Sequence, residues 1–146
     1  MEIVFNLCLP RDEASVPFVR HMCRTAMESL EVDDDCTADI EVALSEACTN
    51  VLRHATEHGE EYEVKIVVDP DACVISILDA GGDFDHAAAL SRNQAASSAE
   101  SGRGVYLMQH LVDDLHFSSE PGTGTVVRLT KLLSLKPGSD SGLLAR

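Results

Sequence analysis

Two strand-forming runs rich in apolar residues, Glu63–Val68 and Cys73–Leu78, are separated only by a turn holding Asp69-Pro70-Asp71. Side chains on a strand change face at every residue, and proline presets the backbone of a turn. The two runs are therefore predicted to close as an antiparallel hairpin with one buried face. A sheet with one apolar face needs a second layer to cover it. The preceding residues supply that cover. Val16, Val19, Met22, Cys23, Ala26, Met27 and Leu30 recur at spacings of three and four, which predicts a helix between Pro10 and Leu30. Pro17 lies inside this pattern and moves the expected start to itself, with Ser15 as the cap. Asp33-Asp34-Asp35 puts negative charge where a second helix begins, and that helix is expected to run to about Thr56 and stop at Gly59.

Glu2–Leu9 reads as a further strand, Val105 to about Asp113 as a third helix, and Asp114–Ser119 with Thr125–Leu132 as a second hairpin. Ala87–Ser101, rich in Ala and Ser without a clean period, reads as a mobile connection. The order predicts an α+β fold, a two-layer α/β sandwich with helices on one face of a mostly antiparallel sheet. A chain of 146 residues suits one domain. It is expected over residues 1–132, with a flexible C-terminal tail at 133–146, where Ser, Gly and Pro dominate.

Twenty-five Asp and Glu stand against 11 Lys and Arg, a net charge of −14. Such a surface repels phosphate backbones and excludes a stand-alone nucleic-acid binder. A single nucleotide stays admissible, because a local nest of backbone N–H groups overrides global charge. No apolar run reaches the length of a membrane span. The first residues show no basic segment before an apolar one, so no signal peptide is expected and the location is expected to be cytoplasmic. The five cysteines (8, 23, 36, 48 and 73) are odd in number and show no Cys-x-x-Cys spacing. Buried, reduced thiols are the expectation. With no Trp and only six Phe and Tyr, the core must be aliphatic.

Four local features carry chemistry. On the second helix Glu46 and Asn50 are one turn apart, off the apolar stripe of Ile40, Leu44, Ala47 and Val51. A carboxylate there can accept a proton, and the amide oxygen one turn on is a hard ligand for Mg²⁺. Asp79 ends an apolar strand beside Gly81-Gly82, where a side chain can read a ligand while the backbone comes close. Gly102-Arg103-Gly104 stands before a helix, whose first N–H groups suit an anion. Gly122-Thr123-Gly124-Thr125 leads into the last strand. Taken singly, these are also what a solvated helix face, an Asx turn, a flexible helix start and a hairpin turn look like.

In this order, however, they form a set, and the chain resembles Bergerat-fold (GHKL) ATP-binding domains over roughly residues 1–132. Within them it is most similar to the anti-sigma-factor serine/threonine kinases of the RsbW/SpoIIAB type. Glu46…Asn50 matches the N-box, Asp79-Ala80-Gly81 the first glycine box, Gly102-Arg103-Gly104 the second, and Gly124-Thr125 the final Gly-Thr element. The resemblance implies ATP and Mg²⁺ as cofactors, with Asn50 as the metal ligand and Glu46 as the general base. It implies that Asp79 hydrogen-bonds the adenine amino group and that Gly81 lets the ring approach. Gly102 and Gly104, with Arg103 between them, would hold the phosphates, Thr125 would support the adenine side, and residues 86–101 would form a lid. The implied partners are a sigma factor and a small STAS-type anti-anti-sigma antagonist phosphorylated on Ser or Thr, and a homodimer is compatible with the pattern. The chain departs from the pattern at Asp83, where a second glycine is usual, and this sets a carboxylate near the phosphates unless it points away.

Other readings fit less well. The catalytic half of a sensor histidine kinase has Asn where Glu46 stands and a phospho-accepting helix upstream. Gyrase- and chaperone-type machines share the Glu but use further domains. His54-Ala55-Thr56-Glu57-His58 matches H-x-x-E-H, the inverted zinc-peptidase pattern, at a fraying helix end with no substrate architecture around it. An ATP-binding module that sequesters a sigma factor or other regulator without transferring phosphate is the alternative of a different class.

Overall fold

A computed structural model describes residues 1–54, 61–79, 100–120, 124–139 and 144, with the backbone alone at 54, 100–103, 119 and 120. Five strands, β1 (Ile3–Pro10), β2 (Glu61–Val68), β3 (Ala72–Asp79), β4 (Asp114–Glu120) and β5 (Gly124–Leu132), form one sheet in the order β1-β2-β3-β5-β4. Every pairing is antiparallel. Among the described residues three helices accompany it, α1 (Ser15–Ser29), α2 (Asp34–His54) and α3 (Glu100–Leu111). The two-layer α+β sandwich expected from the sequence is the fold.

The β2–β3 hairpin follows from its turn. Asp69 Oδ1 accepts from the amides of Asp71 (2.7 Å) and Ala72 (2.8 Å), and the Asp69 amide donates to the Ala72 carbonyl (3.0 Å). Alternation then sorts the faces. Tyr62, Val64, Ile66 and Val68 of β2, Cys73, Ile75 and Ile77 of β3, and Val127 and Leu129 of β5 are buried. They are covered by Val19, Cys23 and Met27 of α1 and by Ile40, Ala43, Leu44, Ala47, Cys48 and Val51 of α2. The same alternation makes Asp79 the last inward position of β3, directly opposite Thr125, the first inward position of β5. A buried polar pair thus ends two apolar rows, both residues being 4% exposed. Gly124, which precedes it, has φ 101, a conformation that side-chain-bearing residues avoid.

Local details depart from the sequence expectations. α1 starts at Ser15, not Pro17, and Ser15 is no cap: its hydroxyl donates to the Asp12 carbonyl (2.7 Å) and lies 2.5 Å from the Tyr62 hydroxyl. A buried tyrosine O–H needs a partner, and that need draws Ser15 inward. Pro17 is tolerated because the first turn of a helix leaves its N–H groups unpaired. α2 is capped as its acidic start suggests, by Asp33 Oδ1 on the Cys36 amide (2.7 Å). A forked Arg24–Glu41 pair (Nε–Oε1 2.7 Å, Nη2–Oε2 3.1 Å) ties α1 to α2. Lys131 donates to the Leu111 carbonyl at the end of α3 (2.8 Å) and to Asp39 of α2 (3.1 Å).

The segment after β5, read from the sequence as a flexible tail, is held through Ser139. Leu135 bridges Val32, the Asp33 amide donates to the Ser134 carbonyl (2.8 Å), and the Lys136 amide donates to the Glu31 carbonyl (2.8 Å). Leu144 is also buried. Isolated leucines in a Ser/Gly/Pro-rich stretch carry no period, so only the non-local pairing reveals them. Among the described residues no helix is long and apolar enough to cross a membrane.

Cys23, Cys36, Cys48 and Cys73 are buried and Cys8 is exposed, all as free thiols. Burial pushes the Cys23 and Cys48 thiols up to about 12 and raises Cys73 as well. In the native protein a thiol-reactive disulfide should therefore label Cys8 quickly and the other four only after denaturant is added. A group whose folded pKa lies above its unfolded value contributes stability that is lost as pH rises. The denaturant midpoint should accordingly fall between the ordinary thiol value of 9.0 and about 12, as unfolded thiols ionise while the buried ones stay protonated.

Candidate functional site

α2 presents its apolar stripe to the sheet and its Glu46–Asn50 edge to α3. Glu46 is half-buried and Asn50 is 4% exposed. The helix that meets them begins at Glu100, earlier than the Val105 start expected from the sequence. Gly102 and Arg103 thus lie in its first turn, and Gly104 follows inside the helix. Glycines weaken a helix start but do not forbid one when its face packs against another helix. Gly104 is where the two helices approach. A methyl group on it would sit 2.8 Å from Glu46 Oε2, 3.4 Å from Asn50 Oδ1 and 3.7 Å from Asn50 Nδ2. Any side chain there would displace the carboxylate, so Gly104 acts through its missing side chain.

Asn50 is unusual inside this junction. Both of its amide atoms are buried and neither has a hydrogen-bond partner among the described residues. Each such group costs about 1–3 kcal/mol, and native structures leave few of them without a reason. An unpaired amide oxygen one turn from a carboxylate is a donor set that suits a hard cation such as Mg²⁺. On this observation the residues fit the group that the sequence implies.

Asp79 and Thr125 form the second half of the site. The sequence reading missed their neighbour. Arg11, in the β1–α1 connection, pairs with Asp79 through Nη2 and Oδ1, and its Nη1 donates to the Val51 carbonyl at 3.4 Å. The Arg11 and Asp79 side chains are 9% and 6% exposed. Val51 follows Asn50, so the guanidinium links the end of β3 to the last turns of α2. No local pattern marks Arg11. The available signal was that a carboxylate placed inside an apolar layer needs a counter-charge.

The structure therefore brings Glu46, Asn50 and Gly104 together, sets Asp79 against Thr125, and joins the two groups through Arg11. Gly81, Asp83, the lid before Glu100, and Glu57 and His58 of the zinc-peptidase pattern lie outside the described residues, as does the side chain of Arg103.

Comparison with known proteins gives the family. Residues 9–131 match the model of the histidine kinase-like ATPase domain, and the chain belongs to that family. Its relatives include the Serine-protein kinase RsbW of Bacillus pumilus, 35% identical over 107 residues, covering 66% of this chain and 65% of that protein. RsbW of Bacillus velezensis is 28% identical, covering 86% and 83%. The Anti-sigma F factor of Thermoanaerobacter sp. strain X514 is 30% identical, covering 84% and 86%. Two solved structures share the fold. A chain of the SiaB–SiaC complex structure from Pseudomonas aeruginosa superposes with a TM-score of 0.64 at 15% identity, over 89% of this chain and 88% of that one. A structure of the RsbU and RsbW domains of a Mycobacterium tuberculosis protein gives 0.61 at 19% identity, over 90% of this chain and 33% of that longer chain.

The unpaired amide makes a test possible without any ligand. Asn50→Leu replaces two unsatisfied buried polar atoms by an apolar group of similar size. It should raise the unfolding free energy of the nucleotide-free protein by about 1 kcal/mol or more, measured by denaturant titration. An asparagine retained for the fold would give a loss.

Proposed function

We propose that this chain is a Mg-ATP-dependent protein serine/threonine kinase that acts as an anti-sigma factor and phosphorylates a small STAS-type antagonist. The observation that carries the reading is the junction of Glu46, Asn50 and Gly104: a carboxylate and an orphaned amide held side by side where a side chain in place of the glycine would push the carboxylate aside. The names of the relatives support the kinase and anti-sigma parts of it.

In this reading Asp79 and Thr125 receive the adenine, with Gly81 letting the ring approach. Gly102 offers a first-turn amide of α3 to the phosphates, where the positive end of the helix favours an anion, and Arg103 stands beside it. Asn50 holds Mg²⁺, which when bound supplies charge neutralisation to the phosphate oxygens. Glu46 accepts the proton of the attacking Ser or Thr hydroxyl. The hydroxyl oxygen bonds to the γ-phosphorus, and the bond to the ADP oxygen breaks. Most of the acceleration then comes from positioning and electrostatics.

Mixing the protein with Mg-ATP and STAS-type proteins from the same genome, followed by intact mass measurement, tests the proposal. One antagonist should gain a single phosphoryl group. Glu46→Gln should slow that transfer by about 10²–10⁴-fold while leaving ATP affinity nearly intact. An equally active variant would remove Glu46 from catalysis. A parent that binds ATP yet modifies no antagonist would leave a partner-switching module without kinase activity.

A further inference from the structure

Four ion pairs join described residues, and three of them are exposed on at least one side. In Arg24–Glu41 the arginine is 56% exposed, in Lys131–Asp39 the two sides are 20% and 38%, and in Lys136–Asp34 they are 44% and 88%. Arg11–Asp79 is buried on both. Arg11 Nε is buried as well and has no hydrogen-bond partner among the described residues. A pair this deep loses hydration on both sides, and apolar residues of similar size would serve the fold as well or better. A pair that the fold does not need points to a carboxylate with a second task. Geometry limits how that task is done. The Arg11 backbone follows Pro10, which is paired with Glu61, and the planar fork spans two fixed acceptors, Asp79 Oδ1 and the Val51 carbonyl. The Asp79 carboxylate is thereby held from Oδ1 in one orientation.

We propose that Arg11 is a positioning residue for base selection: by clamping Asp79 Oδ1 against the end of α2, it fixes the carboxylate as an acceptor for the C6 amino group of adenine and sets it against a C6 carbonyl. The proposal rests on the assignment of Asp79 to the adenine pocket. The variants that test it are placed at Arg11, since a change at Asp79 leaves the guanidinium buried without its counter-charge.

The test compares Mg-ATP with Mg-ITP, whose base carries a carbonyl at C6, by calorimetry on the parent, Arg11→Ala and Arg11→Lys. The parent should prefer ATP by about 10- to 150-fold, the range of one hydrogen bond to a charged acceptor. In Arg11→Ala the preference should shrink to about threefold or less, through loss of ATP affinity with ITP affinity little changed. Lysine restores the charge but reaches only one of the two acceptors, so Arg11→Lys should fall between. It carries the test if Arg11→Ala does not fold. An equal loss for both nucleotides would make Arg11 a structural residue only and overturn the proposal. So would an unchanged preference in Arg11→Lys, or tighter ATP binding in Arg11→Ala, which would mean that the guanidinium competes with the base. A parent that binds ATP and ITP alike would instead overturn the adenine assignment, and this inference with it.

Discussion

The packing of α2 decides the rest. One side of this helix is small and apolar, with Ala43, Leu44, Ala47 and Cys48 fully buried, and so it can lie close to the sheet and to α1. The adjoining edge carries Glu46 and Asn50, which are pressed against α3 at Gly104. A helix that covers a core on one side and meets a glycine on the next can hold polar groups out of water without breaking the core. The helix propensity lost at Gly104 is of the order of 1 kcal/mol. The unpaired amide of Asn50 adds to that cost. Both are the kind of local disadvantage that persists at functional positions.

Charge is organised on two scales. Globally the chain carries −14, a field that slows the approach of any polyanion and does so most at low salt. Locally the sheet end is arranged otherwise. Arg11 stands within the layer against Asp79, and its guanidinium also meets the last turn of α2, where unpaired carbonyls favour a cation. Affinity for a nucleotide on such a surface has to come from short-range contacts rather than from attraction at a distance.

Features encoded by short-range pattern were legible in the sequence. The β2–β3 hairpin, the two long amphipathic helices and the acidic start of α2 all follow from spacings of two, three and four or from one turn. Glu46, Asn50, Asp79 and Thr125 were legible because motif order ties them to particular elements, and three of the four proved to be buried polar residues. Features that depend on a distant partner were not legible. Ser15 turns inward because Tyr62 lies 2.5 Å away across the layers. The start of α3 at Glu100 depends on α2 being there to pack against. Leu135 is held by Val32, and Arg11 by Asp79, across more of the chain than any local window spans.

The strand pairing has a consequence for how the chain is made. β1 pairs with β2, Ile3 against Val68 and Pro10 against Glu61, so the whole α1–α2 pair lies between the two partners. Contacts of such separation form late. On a ribosome adding about 5–20 residues per second, the stripe of α1 and α2 waits roughly one to five seconds between the completion of α2 and that of β3. During that interval the helical pair has only itself to bury against, and β1 has no strand beside it. The small side chains that let α2 sit close to the sheet also let it close on α1 first, which makes the helical pair a shelter for the nascent chain before it becomes the roof of a site.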